Sequence, residues 1–323
     1  MAGDQGHFIS IVIPVYNEEE SLGVLHTEIT EAMNQAPGHR YEVIYVDDGS
    51  TDRSYALLGE LYETDPAHVR AIRFRRNFGQ TPAMAAGFDA ARGDIIVPMD
   101  ADLQNDPADI PRLVSKMDEG YDVVSGWRAD RKDKFLSRRL PSMIANGLIS
   151  WMTGVRLHDY GCTLKAYHRD AAAHIQFYGE LHRFLPALAS WGGARVTEMK
   201  TNHRARRFGA SKYGIDRTLR VILDLITVKF LLSYSTKPMQ VFGKWGFASM
   251  AIGALAAVLT ALLKLLPPHK DVTGNPWMYV AIFFSLGGLQ LICMGLLGEI
   301  NVRTYYESQN KSIYTVRDHL GEE

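Results

Sequence analysis

The sequence predicts an α/β domain followed by a hairpin of two membrane-spanning helices. Short β-rich runs alternate with helical stretches over the first 126 residues, a pattern typical of a sheet covered by helices on both faces. Two apolar runs near the end of the 323-residue chain are each long enough to cross a bilayer as a helix. We therefore expect one full α/β core and a separate membrane anchor.

The strands and helices of the α/β domain can be assigned in chain order. The predicted strands are the β-branched runs ISIVIPV, YEVIYVD, VRAIRF, DIIVPMD and DVVSG. The predicted helices are Glu18–Gln35, Asp52–Glu63, Pro82–Ala91 and Pro111–Glu119. Continuous apolar strands joined by helices indicate a parallel sheet, and such sheets bind ligands beyond the carboxyl ends of their strands.

Three of these strands end in clusters of polar residues. Tyr16, Asn17 and Glu18 follow the first strand, Asp47–Ser50 follows the second, and Asp100–Gln104 follows the fourth. Because the carboxyl ends of parallel strands meet at one edge of a sheet, we expect the three clusters to form one site. The DDGSTD segment is also expected to cap the next helix through a hydroxyl or carboxylate side chain.

The fourth-strand cluster is a candidate metal site. The chain has neither GxGxxG nor GxxxxGK[ST], so it lacks the loops that hold phosphates with backbone amides. Asp100 and Asp102 offer carboxylate oxygens to a hard divalent cation that keeps room for diphosphate oxygens and water. Two solvated carboxylates in a turn are the alternative, but the position after a buried strand and the nearby Gln104 favour the metal.

The composition excludes several other classes of protein. The formal net charge of -1 disfavours a nucleic-acid binder, which normally needs a basic excess. Cys162 and Cys293 are the only cysteines, too few for a disulfide framework or a cysteine-rich zinc site. The eleven histidines show no HExxH spacing, so a zinc hydrolase is set aside. The N-terminus lacks the pattern of a cleaved signal peptide, and the first domain is expected in the cytoplasm.

The two apolar runs are predicted as membrane spans at about 246–266 and 277–298. The first contains one charge, Lys264, near its end, and the second contains none. Two buried helices of a soluble core are the alternative, disfavoured because soluble helices rarely run this long without a polar face. Basic residues are frequent between Arg204 and Lys244, so both chain ends are expected on the cytoplasmic side.

Two further segments, 134–153 and 213–232, mix basic and apolar residues at roughly helical spacing. Amphipathic helices in the membrane interface and ordinary core-packing helices are equally compatible with either pattern. The expected division of the chain is a catalytic domain over 1–212, a juxtamembrane helix over 213–237, the two spans within 238–299, and a cytoplasmic tail over 300–323.

Six motifs together carry a family resemblance. They are IVIPVYNEE, VDDGSTD, RNFGQTPAMAAGFDAARGD, MDADLQ, HDYGCTLKAY and RRFGASKYG, in this order. Over roughly residues 8–235 the chain resembles family 2 glycosyltransferases of GT-A (Rossmann-like) fold, specifically the polyprenyl-phosphate glycosyltransferases related to dolichol-phosphate mannose synthase. The C-terminal hairpin is similar to that of the bacterial branch that makes undecaprenyl-phosphate sugars.

The resemblance implies a function and its partners. It implies an inverting, metal-dependent transfer of a sugar from a UDP- or GDP-linked donor to a polyprenyl phosphate, at the cytoplasmic face of the inner membrane. The implied cofactor is Mg²⁺ or Mn²⁺, and a homo-tetramer is suggested by the same relatives. It identifies neither the sugar nor the length of the lipid.

The resemblance also assigns residues to roles. The implied donor-binding residues are Pro14, Tyr16, Asn17, Glu18, Asp48, Asp100 and Ala101. The implied metal ligands are Asp100, Asp102 and Gln104, and the implied catalytic residues are Asp102, Asp159, Arg207 and Lys212. The residues expected to face the acceptor phosphate are Arg128, Arg138, Arg139 and Ser211. A basic surface that faces the membrane is an equally good account of Arg138 and Arg139. HDYGCTLKAY departs from the SGFR-like version in some relatives, which leaves open whether Asp159 is a base or an orienting group.

Two other functions share parts of this pattern. A transferase with a soluble or polysaccharide acceptor is disfavoured because the chain lacks a QxxRW sequence and has too few spans for a polymer channel. A non-catalytic membrane protein that only binds nucleotide-sugar is disfavoured because the implied metal and phosphate residues are all present.

Overall fold

The computed structural model describes residues 6–129, 140–173, 184–205, 238–267 and 271–308. The chain divides into two compact units, Met1–Val228 and Lys229–Glu323. Each unit is described by itself.

The first unit contains a seven-stranded mixed sheet. Its strands are β1 (Phe8–Val15), β2 (Arg40–Asp47), β3 (Val69–Arg73), β4 (Ile95–Pro98), β5 (Val123–Trp127), β6 (Lys165–His168) and β7 (Val196–Lys200). The strand order is β3-β2-β1-β4-β6-β5-β7. The first four strands pair in parallel, and β5 pairs in parallel with β7.

The five predicted strands are confirmed, but the expectation of a parallel sheet is wrong at β6. This strand runs antiparallel to both of its neighbours, β4 and β5. Neither β6 nor β7 was predicted, because KAYH and VTEMK are short and mixed in polarity. Since β6 is reversed, its first residue lies at the same edge of the sheet as the ends of β4 and β5.

Helices cover both faces of the sheet. They are α1 (Leu22–Asn34), α2 (Ser54–Thr64), α3 (Gln80–Ala90), α4 (Asp109–Met117), α5 (Leu140–Thr153), α6 (Arg169–Ala173) and α7 (Leu185–Trp191). The four predicted helices correspond to α1–α4. In α4, the buried Ile110, Leu113, Val114 and Met117 follow the i, i+3, i+4, i+7 spacing that places apolar residues on one helix face.

The hydrophobic core has one layer on each face of the sheet. One layer joins alternate residues of β1, such as Ile11 and Ile13, to α1, α2 and α4. The other joins Val12 and Ile96 to α3, α6 and α7. Gly87 of α3 allows this second layer to close, because a Cβ atom there would lie 2.2 Å from the Val12 side chain.

The second unit is a helical hairpin of α8 (Pro238–Leu265) and α9 (Pro276–Ser308). The helix α9 includes residues 300–308, which were expected to belong to the tail. Within the described residues, Pro238–Leu265 and Pro276–Val302 are long and apolar enough to cross a membrane, and only 22% and 17% of their most apolar windows are buried. This exposure disfavours the alternative of core helices, which bury most of their apolar surface.

The two hairpin helices approach closely at glycines. A Cβ atom on Gly246 would lie 2.8 Å from the Gly288 carbonyl oxygen, and a Cβ atom on Gly288 would lie 2.6 Å from the Gly246 carbonyl oxygen. Small residues that let helix backbones touch are a common packing device in membranes, where burial of apolar side chains gives no driving force.

Candidate active site

The polar clusters after β1 and β2 are joined by hydrogen bonds, as expected from their neighbouring strands. The backbone amide of Asn17 donates to Ser50 Oγ at 3.0 Å, and the amide of Thr51 donates to Asn17 Oδ1 at 2.8 Å. The amide of Glu18 donates to Ser54 Oγ at 2.8 Å. Asn17 has a positive φ of 55°, a conformation that asparagine tolerates better than most residues.

The helix-capping role expected of DDGSTD is not seen at the N-cap of α2, which is Arg53 and has no side-chain cap hydrogen bond. Asp52, the residue before it, contacts the first residue of the helix instead. Its carboxylate accepts a hydrogen bond at 2.9 Å from the amide of Ser54, the first residue of α2. The other carboxylate oxygen accepts from the amide of Glu19 at 3.3 Å. The Asp52 side chain therefore links the beginning of α2 to the loop after β1.

Asp48 connects the site to the loop that follows β3. Its two carboxylate oxygens accept hydrogen bonds from the backbone amides of Phe78 at 2.7 Å and Gly79 at 2.8 Å. Burial raises the pKa of Asp48 above its ordinary value, although these two hydrogen bonds oppose the shift. The bound loop presents Phe78, which is 50% exposed, with the Arg76 guanidinium 4.1 Å from the centre of its ring.

Asp100 and Asp102 follow β4 and lie partly exposed at the sheet edge. Asp100 Oδ1 accepts a hydrogen bond from Gln80 Nε2 at 2.8 Å, and Asp100 Oδ2 accepts one from Thr163 Oγ1 at 2.6 Å. Asp102 Oδ1 accepts from the backbone amide of Gln104 at 3.1 Å. The Asp100 side chain is thus fixed on both sides by residues that the sequence analysis assigned no role.

This pair has the chemistry of a partial cation site. Burial raises the pKa of Asp100, and the adjacent charge of Asp102 raises it further, a repulsion that a bound cation relieves. A carboxylate has about four lone-pair sites, so two hydrogen bonds leave Asp100 able to coordinate. Among the described residues there is no group of three or more His, Cys, Asp or Glu placed to hold a metal. The residues fit a cation such as Mg²⁺, which commonly uses one or two carboxylates and completes its shell with substrate phosphates.

Arg128, which follows β5, forms a buried ion pair with Asp159. Arg128 Nε donates to Asp159 Oδ2 at 2.6 Å, and one terminal nitrogen donates to Asp159 Oδ1 at 2.9 Å. Burial alone would lower the pKa of the Arg128 guanidinium, but the hydrogen bonds and charge of Asp159 raise it above its ordinary value. A Cβ atom on Gly161 would lie 3.2 Å from the Arg128 guanidinium, so glycine leaves room for this pair.

The structure places the remaining sequence-predicted residues as follows. Pro14 is partly buried near the end of β1, and Tyr16 and Glu18 lie half-buried in the loop after it. Ala101 is 4% exposed and belongs to the hydrophobic core. Five predicted residues lie outside the described part of the chain: Arg138, Arg139, Arg207, Ser211 and Lys212.

Sequence reasoning overlooked Gln80 and Thr163, the two residues that fix Asp100. Both lie inside motifs that carried the family resemblance, RNFGQTPAMAAGFDAARGD and HDYGCTLKAY. Their position in those motifs was the available indication, but only the folded chain shows which carboxylate they contact.

Residues 10–176 match the family model described as Glycosyl transferase family 2. This chain belongs to glycosyltransferase family 2. It is 43% identical over 317 residues to a dodecaprenyl-phosphate galacturonate synthase of Rhizobium johnstonii, covering 96% of this chain and 92% of that protein. It is 38% identical over 314 residues to an undecaprenyl-phosphate 4-deoxy-4-formamido-L-arabinose transferase of Enterobacter sp., covering 96% and 93%.

Solved structures show the same fold at low identity. This family 2 glycosyltransferase is similar to glucosyl-3-phosphoglycerate synthase of Mycobacterium tuberculosis, crystallised with Mn²⁺, uridine diphosphate and phosphoglyceric acid. The TM-score is 0.53 at 20% identity, and the match covers 70% of this chain and 78% of that chain. The predicted GT-A fold is thereby confirmed.

Proposed function

We propose that this family 2 glycosyltransferase transfers a sugar from a nucleotide-sugar donor to a polyprenyl phosphate, with inversion at the anomeric carbon. The observation that carries the proposal is the placement of two groups at one sheet edge. These are the Asp100–Asp102 pair for a metal and a diphosphate, and the Arg128–Asp159 pair for a second anion. The relatives that match almost the whole chain act on dodecaprenyl or undecaprenyl phosphate by name.

A divalent metal belongs to this proposal. Asp100 and Asp102, with Gln104 beside them, are the residues proposed to hold Mg²⁺ or Mn²⁺ against the donor diphosphate. The bound ion would supply positive charge that stabilises the leaving nucleoside diphosphate. Tyr16 and Asn17 are proposed to line the nucleotide pocket, together with Pro14, Glu18, Asp48 and Ala101.

The acceptor phosphate hardly needs a general base to deprotonate it before it attacks. A phosphate monoester is already largely anionic near neutral pH, so one of its oxygens can attack the anomeric carbon directly. The new bond is a sugar C1–O–P linkage, and the bond that breaks joins C1 to the donor diphosphate, which departs with the electron pair on the opposite face. Positioning and charge neutralisation therefore account for most of the rate enhancement.

Arg128 and Asp159 have distinct roles in this mechanism. Arg128 Nε and one terminal nitrogen are bound to Asp159, so the guanidinium keeps further N–H donors for a phosphate oxygen. The oxygens of Asp159 accept hydrogen bonds from Arg128 and from the amide of Gly161, which favours an orienting role over that of a base. The residues outside the described ranges retain their proposed contacts with phosphate: Arg138, Arg139, Arg207, Ser211 and Lys212.

The membrane assignment follows from the hairpin. We propose that α8 and α9 cross the inner membrane and that the catalytic unit and both chain ends are cytoplasmic, as the distribution of basic residues favours. Domain boundaries at 212, 237 and 299 and the homo-tetramer stay predictions. Labelling of single cysteines from either side of sealed vesicles tests the orientation.

The decisive experiment is a transfer assay with the full chain in detergent. The enzyme is incubated with undecaprenyl phosphate, Mg²⁺ or Mn²⁺, and a panel of labelled UDP- and GDP-sugars that includes a uronic acid and a 4-formamido pentose. Label is expected in the lipid phase with at least one donor. Asp102→Ala or EDTA should reduce the transfer rate by more than about a hundredfold. Loss of a residue that only supports a metal ligand typically costs up to about that much.

The exposed Asp170, with a side chain 89% accessible, provides the matched control. Asp170→Asn is expected to transfer at the wild-type rate. Full activity of Asp102→Ala, or full activity in EDTA, would refute the metal assignment. Transfer only to a soluble sugar acceptor would refute the lipid assignment.

A further inference from the structure

A fully buried lysine lies beneath the active-site loop. Lys165 is the first residue of β6 and is 3% exposed. Its ammonium group donates hydrogen bonds to the carbonyl oxygens of Tyr160, at 3.3 Å, and of Cys162. Burial lowers the pKa of Lys165, and the nearby negative charges of Asp159 and Asp100 oppose that shift. Burying an ammonium group is strongly unfavourable unless the surroundings compensate, so a lysine at this position points to a specific role.

The two carbonyl groups belong to a short loop, residues 159–163, that contacts both halves of the proposed site. At one end Asp159 holds the guanidinium of Arg128 through two hydrogen bonds, at 2.6 and 2.9 Å. At the other end Thr163 donates its hydroxyl hydrogen to Asp100 Oδ2 at 2.6 Å. The carbonyls that bind Lys165 lie between these ends, so one cation fixes the backbone that separates the metal side from the acceptor side.

The reversed direction of β6 makes this arrangement possible. Lys165 pairs in register with Ser125 of β5, two residues before the end of that strand at Trp127. A lysine at the start of β6 therefore lies at the reactive edge of the sheet, directly below the loop that precedes it. A neutral apolar residue there would fill the space but remove the donor that the two carbonyl oxygens have in Lys165, which is destabilising for buried acceptors.

Resting on the proposed function, we infer that Lys165 is a positioning residue of the transferase site. Its ammonium group holds the 159–163 loop so that Thr163 aligns Asp100 for the metal while Asp159 aligns Arg128 for the acceptor phosphate. Lys165 itself contacts neither substrate. Its effect reaches the reaction through Thr163 and Asp159.

The test compares Lys165→Met and Lys165→Arg with a matched surface control, Lys116→Met, in the full chain. Lys116, on α4, pairs with the exposed Glu119 and lies outside the site. Lys165→Met is expected to keep its circular dichroism spectrum but to lose about tenfold to a hundredfold in kcat and in Mn²⁺ affinity, the range typical for outer-shell partners. The KM for the nucleotide-sugar should change far less than kcat. Lys165→Arg, which retains the charge and the donors, should recover most of the loss.

A double-mutant cycle distinguishes positioning from a general loss of stability. Thr163→Val removes the hydrogen bond to Asp100, so it should reduce kcat much less in the Lys165→Met background than in the wild type. If the two effects multiply as independent factors, or if folded Lys165→Met has wild-type kcat and Mn²⁺ affinity, the inference is wrong. If Lys165→Met yields no folded protein, Lys165→Gln replaces it with the same expected losses, because the shorter amide cannot reach both carbonyls.

The Mn²⁺ measurement separates this inference from the proposed function. Mn²⁺ binding is followed by electron paramagnetic resonance, without donor or lipid. Wild-type protein that binds Mn²⁺ but transfers no sugar to lipid would refute the proposed reaction alone. Wild-type transfer combined with unaltered kcat and Mn²⁺ binding in the folded Lys165 variants would refute the role of Lys165 alone.

Discussion

Replacing Asp159 by asparagine measures how strongly the site depends on one buried ion pair. Asp159 is 3% exposed and accepts hydrogen bonds from Arg128 at 2.6 and 2.9 Å and from the amide of Gly161 at 3.1 Å. Asparagine keeps one acceptor oxygen but places an amide N–H₂ group against the guanidinium. Two donors then face each other, and the charge of Arg128 stays buried without a partner.

The expected cost follows from this geometry. Removing one partner of a buried ion pair typically destabilises a protein by about 3–5 kcal/mol. Because asparagine retains part of the hydrogen bonding, we expect the lower value, about 3 kcal/mol. For a unit of this size that corresponds to a fall in Tm of about 6–12 °C. The misplaced guanidinium should also reduce kcat by about a hundredfold, as small displacements in an active site commonly do.

Thermal unfolding of the full chain in detergent and initial rates of lipid glycosylation provide the two measurements. The exposed Asp170→Asn variant serves as the control and should unfold within about 2 °C of the wild type, since surface substitutions rarely exceed about 0.5 kcal/mol. Asp159→Asn with the Tm and kcat of this control would show that the pair neither stabilises the fold nor orients Arg128.

Three other substitutions, two of them with a matched control variant, test features of the fold. Burial alone raises the pKa of Glu42, but hydrogen bonds to its carboxylate lower it below the ordinary value. The stability that the Glu42 carboxylate contributes is therefore present above its unfolded pKa and is lost as the pH falls through its folded pKa. Glu42→Gln should make the decline of Tm below about pH 4.5 less steep than in the wild type. An equally steep decline of Tm in the variant would contradict this prediction. Gly49→Ala forces a side chain onto a φ of +69° and should cost more than about 2 kcal/mol, whereas Gly59→Ala, in open space within a helix, should not lower Tm. Gly246→Leu should separate the hairpin helices, seen as a longer distance between spin labels on α8 and α9, while Gly287→Leu, whose Cβ atom would meet nothing closer than 3.9 Å, leaves that distance unchanged.

Most of the sheet could be predicted because its strands are continuous apolar runs. The central strands β1, β2 and β4 are almost wholly buried, and buried parallel strands leave a hydrophobic pattern that is readable without tertiary information. KAYH and VTEMK have no such pattern, and their strand conformation depends on pairing with β5. The reversal of β6 is likewise a property of the assembled sheet.

The site could be predicted only in part, for a related reason. The carboxylates at the strand ends could be assigned to the site from the sequence, because the carboxyl ends of parallel strands meet at one edge of a sheet. Gln80 and Thr163 contact Asp100 from 20 and 63 residues away in the chain, and no local spacing rule connects positions so far apart. The same holds for Arg128 and Asp159, each of which was predicted for the site, although not as partners of one another.

The reversed strand β6 also limits how this enzyme can be changed. A loop with no functional residue at one of its ends can change in length, but the segment between Arg128 and Lys165 has residues of the proposed site at both ends. Inserting or deleting one residue between 159 and 165 would shift Asp159 and Thr163 against their partners and turn the strand's alternate side chains to the opposite face. Chimeras designed to exchange acceptor preference between relatives should therefore swap residues 128–168 as one block.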